Sequence, residues 1–183
     1  MKEFSYIKVK VNKENSISFV KKIASCTNKP LRVDGNEAWN SLEDYLIFED
    51  AIKDINIEFI EQPFKASMIE TYKSLKPISR FQIMADESIE TNVDMESIAS
   101  QFHSVNIKLM KASSYKNTIS LLTEAKSYGL KTMIGCMIES SLGISCALQL
   151  TSLGDYFDLD GSLLLKNDPY KMIHLEDGSL SLK

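Results

Sequence analysis

The sequence predicts an α/β fold of parallel strands with helices outside, and three observations carry that prediction. Short β-branched runs alternate with longer stretches of helical period almost to the end of the chain. An ionisable residue stands near the C-terminal end of one strand after another: Lys10, Asp34, Glu61, Asp86, Lys108 and Asp158. These residues are 24, 27, 25 and 22 positions apart and then 50, which is two units, because the intervening strand has no charge at its own tip. One charge per strand end is how a (β/α) barrel of the TIM type builds a site at its C-terminal face. The third observation separates that barrel from an open doubly wound sheet, which usually shows a Gly-rich phosphate turn after its first strand; none is present here.

The elements follow in order. Tyr6-Ile7-Lys8-Val9-Lys10-Val11 reads as a strand in which Lys8 and Lys10 share one face and Ile7, Val9 and Val11 the other. Six further strands are expected at 31–34, 57–61, 81–86, 105–110, 131–137 and 156–160. Helices are expected near 14–26, 41–53, 65–75, 91–101, 114–128 and 140–152, several opened by Ser, Asn or Asp caps. A chain of 183 residues suits one domain, 1–183, with one sizeable core.

Composition sets outer bounds. A net charge of −4 with no basic stripe argues against a nucleic-acid surface. The N-terminus lacks a signal-peptide pattern, and no apolar run approaches the roughly 18 residues of a membrane span, so a cytoplasmic protein is expected. Cys26, Cys136 and Cys146 show no CxxC spacing and read as small buried hydrophobes in a reducing compartment. His103 and His174 read as surface or loop residues.

The strand-end charges carry chemistry. Asp34, Glu61 and Asp86 come from three consecutive strands, and three converging carboxylates need protonation or a cation to relieve their repulsion. One hard divalent ion, Mg²⁺, suits oxygen ligands with positions left for water or substrate. The plainer alternative is an ion-pair network between each acid and a neighbouring lysine, and the spacing leaves both open. Lys8 and Lys10 enter from the strand before these acids and Lys108 from the strand after them. An ammonium group near a cation and other ammonium groups has its pKa lowered, which makes it a usable base. Two such bases suit removal of a proton α to a carboxylate on one face, a metal-stabilised enediolate, and reprotonation on the other.

The segments "KVK" at 8–10, "RVDGNEAW" at 32–39, "IEQP" at 60–63, "ADES" at 85–88 and "NIKLMK" at 106–111 resemble the barrel of the enolase superfamily, muconate-lactonising subgroup. The resemblance implies that Lys10 and Lys108 are the acid/base lysines and that Lys8 neutralises substrate carboxylate charge. It implies Mg²⁺ on Asp34, Glu61 and Asp86, with Asn36 and Glu87 supporting the ligands from behind. At 156–164, "YFDLDGSLL" resembles the DxD of dipeptide epimerases, in which Asp158 and Asp160 receive a substrate α-ammonium group. Capping of the last strand end by the two acids is the alternative. "GCMIES" at 135–140 resembles the seventh-strand segment of that family and puts Glu139 at the rim.

The implied activity is Mg²⁺-dependent epimerisation of a small dipeptide of Ala-Glu type. The other readings are a cycloisomerase or succinylbenzoate synthase of the same subgroup, an inactive remnant, and a Schiff-base aldolase using Lys108. The expected barrel is incomplete, with seven strands where the family has eight and with the N-terminal capping domain absent. Association into a homo-oligomer is one way such a sheet closes its edges. After Lys108, "KASSY" places Ser113 and Ser114 where the family commonly has two glycines, with less backbone freedom.

Overall fold

The structure is a computed structural model and describes residues 4–183. Its chain divides into two compact units, one of residues 5–88 and 96–104, the other of Phe4, 89–95 and 105–183.

In the first unit the strands β1 (Ile7–Lys10), β2 (Leu31–Asp34), β3 (Ile57–Glu61) and β4 (Ile83–Ala85) lie side by side in chain order. All three neighbouring pairs are parallel, with Lys10 opposite Asp34 and Asp34 opposite Glu61. The helices α1 (Ser16–Ala24), α2 (Leu42–Ala51), α3 (Ile69–Leu75) and α4 (Met95–Gln101) connect or follow them. Ser41 opens α2 by accepting the Asp44 N–H at 3.4 Å, with Glu43 and Asp44 in the positive first turn. The core is aromatic. Trp39, Tyr45, Phe48, Phe64, Tyr72 and Phe102 are all fully buried and touch in sequence, with ring centroids 4.3 to 6.1 Å apart.

In the second unit β5 (Ser104–Lys108), β6 (Lys131–Gly135) and β7 (Tyr156–Asp158) follow in order, with β6 and β7 parallel. A short α5 (Leu109–Ala112) and the longer α6 (Tyr115–Ser127) separate β5 from β6, and α7 (Ser141–Leu148) follows β6. An antiparallel hairpin, β8 (Ile173–Glu176) and β9 (Ser179–Leu182), ends the chain. Asp177 and Gly178 turn it at φ 47° and 75°, the left-handed pair that a two-residue hairpin requires.

All seven expected strands are present, and the ends that moved have local causes. The strand expected over 105–110 stops at Lys108, because the chain turns into α5 and leaves it through Ser113 at φ 65°. The helix expected over 65–75 starts at Ile69, since the Ala66 N–H is taken by Glu37 Oε1 at 2.8 Å. That over 91–101 starts at Met95, because Thr91 is held in the preceding loop by Lys111 O and Asn117 Nδ2. The strand over 156–160 ends at Asp158, and Asp160 instead opens a 3₁₀ turn over Gly161–Leu164.

The cysteines correct the sequence reading. All three are free thiols, Cys26 is exposed beyond the end of α1, and Cys136 and Cys146 are half-buried. His103 lies in the loop between α4 and β5, one of the two places expected for it. It is half-buried, its Nδ1 accepts the Ile83 N–H at 3.0 Å, and its own N–H donates to Ile83 O at 2.9 Å. Among the described residues, no helix is long and apolar enough to cross a membrane.

Candidate active site

Strand alternation places the charges. Lys10, Asp34, Glu61, Lys108 and Asp158 are each the last residue of a strand, and Asp86 is one position past β4. The carboxyl ends of parallel strands are where a β/α barrel assembles side chains from successive strands.

In the first unit the structure brings together Lys8, Lys10, Asp34, Asn36, Glu61, Asp86 and Glu87. Asp34, Glu61 and Asp86 are 1%, 0% and 4% exposed, which for three carboxylates demands compensation. Lys8 supplies part of it, with Nζ 3.1 Å from Asp34 Oδ2 and 2.8 Å from Glu61 Oε2. Lys10 reaches Asp34 Oδ2 at 3.4 Å and donates to Asn36 Oδ1 at 3.3 Å. Asn36 in turn donates through Nδ2 to Glu87 Oε1 at 3.3 Å, and its backbone N–H is accepted by Asp34 Oδ1 at 3.1 Å. Its φ of 42°, followed by 59° at Glu37, curls the loop back over the β2 end. Lys8 and Lys10 are thus ion-paired to acids that the sequence also offers to a cation.

Glu61 shows what the set lacks. Burial pushes its acid up to about 7, and the charges of Asp34 and Asp86 add to that while Lys8 opposes it. Further positive charge beside this acid would favour its ionised form. The donor set fits a hard divalent cation in its chemistry: three buried carboxylates at successive strand ends, with no soft ligand. Lys8 stands between two of them, and among the described residues no three His, Cys, Asp or Glu side chains are gathered around one point as they stand.

The second unit holds Lys108, Glu139, Asp158 and Asp160. Asp158 pairs in register with Gly135, and the 3₁₀ turn after Asp160 presses Gly161 against Met137 O so closely that a Cβ there has no room. The Cys136 thiol lies among these acids and is pushed up to about 12. Burial is the main cause, with the charges of Asp158, Asp160 and Glu139 adding and a backbone hydrogen bond at Gly161 opposing. Glu139 folds back on its own loop, accepting the Met137 N–H at 3.2 Å, and its other carboxylate oxygen fills the space beside Gly143 that a side chain would take.

Sequence reasoning missed a set of uncharged residues behind the acids. Gln62, Tyr72 and Ser88 are joined by hydrogen bonds that reach the backbone of Asp86. The signal available was "EQP" itself, a polar residue next to a buried ligand candidate and before a proline.

Parallel strands with outer helices, and acids and lysines on strand after strand at the carboxyl ends, define a β/α domain of the barrel type with its site at that face. The Enolase C-terminal domain-like family matches residues 1–177. The chain is 44% identical over 155 residues to an L-Ala-D/L-amino acid epimerase of Pedosphaera parvula, covering 84% of this chain and 45% of that one. It is 36% identical over 174 residues to an L-Ala-D/L-amino acid epimerase of Flavobacterium johnsoniae, covering 95% and 52%. An N-acetyl-D-glutamate racemase of a Pseudoalteromonas species is 34% identical over 178 residues, covering 96% and 55%. Among solved structures, a dipeptide epimerase from Methylococcus capsulatus complexed with Mg and the dipeptide L-Arg-D-Lys superposes with a TM-score of 0.90 at 31% identity, covering 99% of this chain and 54% of that one. The chain belongs to the enolase C-terminal domain-like family, whose fold is TIM-barrel-like. It spans about half the length of the curated relatives it matches.

Proposed function

We propose that the protein is a Mg²⁺-dependent epimerase of small dipeptides, of Ala-Glu type. The observation that carries this reading is the Lys8 ammonium group held between Asp34 and Glu61 with Lys10 beside it, a paired set of acids and bases at neighbouring strand ends. The similarity to proteins named L-Ala-D/L-amino acid epimerase supports it.

Asp34, Glu61 and Asp86 would hold the ion, which when bound supplies positive charge that acidifies the proton α to a substrate carboxylate. Lys8 adds its own charge toward that carboxylate. Lys10 moves the α-proton on one face and Lys108 on the other, so that configuration inverts. Asn36 accepts from Lys10 and donates to Glu87, which fixes where the Lys10 amine points. Asp158 and Asp160 receive the free α-ammonium of the dipeptide, with Glu139 at the rim. Their negative charge disfavours substrates whose amine is acylated.

The test is exchange of the dipeptide α-proton with deuterated solvent. Expected are exchange of L-Ala-L-Glu that stops on chelation and loss of epimerisation in Lys10→Ala and Lys108→Ala. Exchange that survives chelation sinks the reading. A second reading, racemisation of an N-acylated amino acid, has one observation in its favour, the similarity to the N-acetyl-D-glutamate racemase. Faster exchange of N-acetylglutamate than of the dipeptide would select it.

A further inference from the structure

Gln62 has no part in the chemistry proposed above, yet both polar atoms of its side chain are engaged beside the acids. It is fully buried, and its backbone sits at φ 37°, a region that non-glycine residues rarely adopt without compensation. The two N–H groups of the side-chain nitrogen are shared among three acceptors, Tyr72 Oη at 2.9 Å, Ser88 Oγ at 2.8 Å and Phe64 O at 3.1 Å. Its oxygen accepts the backbone N–H groups of Asp86 at 2.9 Å and Ser88 at 3.2 Å. The amide cannot be turned over, because the reversed group would aim N–H at two N–H donors and oxygen at the Phe64 carbonyl. The ladder of β4 ends at Ala85, so the Gln62 oxygen takes over where strand pairing stops. It grips the chain at 86 and 88, on both sides of Glu87.

We infer that Gln62 is a positioning residue for the cation site: by holding the 86–88 backbone it fixes where the Asp86 carboxylate is presented. On the side away from Asp86 its nitrogen meets the Tyr72 hydroxyl, which also accepts the Phe64 N–H at 2.9 Å and donates to Phe64 O, while Ser88 Oγ and Phe64 O hold the amide without that hydroxyl. A ligand already fixed loses no freedom when the ion arrives, and hydrogen-bond partners behind metal ligands are worth about 10- to 100-fold in affinity. The inference rests on the reading of Asp34, Glu61 and Asp86 as ligands.

Mn²⁺ serves as the probe, followed by electron paramagnetic resonance as free ion is titrated into the chain without substrate, at a temperature where circular dichroism shows each variant folded. Wild type is expected to bind one Mn²⁺ that Mg²⁺ displaces, and Gln62→Met to bind it about 10- to 100-fold more weakly. Tyr72→Phe removes a hydroxyl from the far side of the same network without touching Asp86. It should lower the melting temperature while leaving affinity within about threefold of wild type, well short of that loss. Equal affinity in Gln62→Met and wild type overturns the inference and leaves the ligand reading standing. A loss in Tyr72→Phe as large as in Gln62→Met also overturns it, since the effect is then one of folding. No binding by wild type overturns the ligand reading and the inference with it. If Gln62→Met does not fold, the wild-type ¹H–¹⁵N spectrum decides: the Gln62 side-chain amide and the Asp86 and Ser88 N–H groups should shift on Mg²⁺ addition, and unmoved resonances overturn the proposal.

Discussion

At the scale of single residues, Lys8 and Glu61 set the balance of the site. Removing one partner from a buried ion pair leaves the other charge uncompensated, at a cost of about 3–5 kcal/mol. Lys8 holds two acids that are at most 1% exposed, so Lys8→Met should destabilise the metal-free chain by that order. With Asp34 and Glu61 as the proposed ligands, the ammonium group would compete with the cation for the same oxygens, so Mg²⁺ should restore more stability to Lys8→Met than it adds to wild type. Thermal melts of both proteins in chelator and in Mg²⁺ check this, and equal metal-induced shifts would count against it. Glu61 gives the pH dependence. Its folded-state acid is raised to about 7 by burial, so its proton-bound form favours folding. The contribution is complete below the ordinary carboxyl range and is lost as pH rises through about 7. Metal-free stability should therefore fall between roughly pH 4.5 and 7, and Mg²⁺ should reverse the trend by displacing the proton. Denaturant titrations across that range with and without Mg²⁺ measure both slopes.

At the scale of elements, two side chains stand in for backbone. His103 pairs with Ile83 at the start of β4, and its acid is lowered by burial first and then by the charge of Lys76. The neutral ring is the folded form, so its contribution is present above about 6.5, the usual histidine value, and is lost as pH falls below it. His103→Ala should cost about 1–3 kcal/mol by leaving the buried Ile83 N–H without its acceptor. Urea unfolding at neutral pH checks the magnitude, and the difference from wild type should shrink in acid. Ser113 pays for a left-handed backbone at φ 65° that glycine adopts freely, so Ser113→Gly should stabilise by about 0.5–1 kcal/mol. Ser114 accepts the Asn117 N–H at 3.2 Å as the cap of α6, and Ser114→Ala should cost about 1 kcal/mol in the same unfolding assay. Elements like these were legible as far as period and caps reach. The strand at 57–61 has its expected bounds because β-branched runs and turn residues mark both ends. Ends set by distant partners were not legible, as with Ala66 held by Glu37 or Thr91 held by Asn117. The closing hairpin was missed although Asp177-Gly178 between alternating residues announces it.

At the scale of the whole molecule, the strand-end places of the charged candidate residues were legible because parallel β/α architecture repeats a position, and a repeated position leaves a trace at regular spacing. Lys10, Asp34 and Glu61 close their strands as that spacing demands. Gln62 was not legible, since its role depends on a backbone twist and on partners 10 to 26 positions away. The same distinction predicts how the chain responds to metal. A ligand that binds only the folded state stabilises it by about 2.7 kcal/mol at 100 times its dissociation constant, but it slows only those openings that break its site. The acids belong to β2, β3 and the turn after β4, so amide exchange across β1 to β4 should slow in saturating Mg²⁺. The β8–β9 hairpin carries mostly exposed side chains and none of these acids, so its local opening leaves the site whole. Its exchange should be the same with and without metal. Hydrogen exchange read by mass spectrometry resolves the two segments, and equal Mg²⁺ protection in both would mean that the hairpin opens only when the ligand strands do.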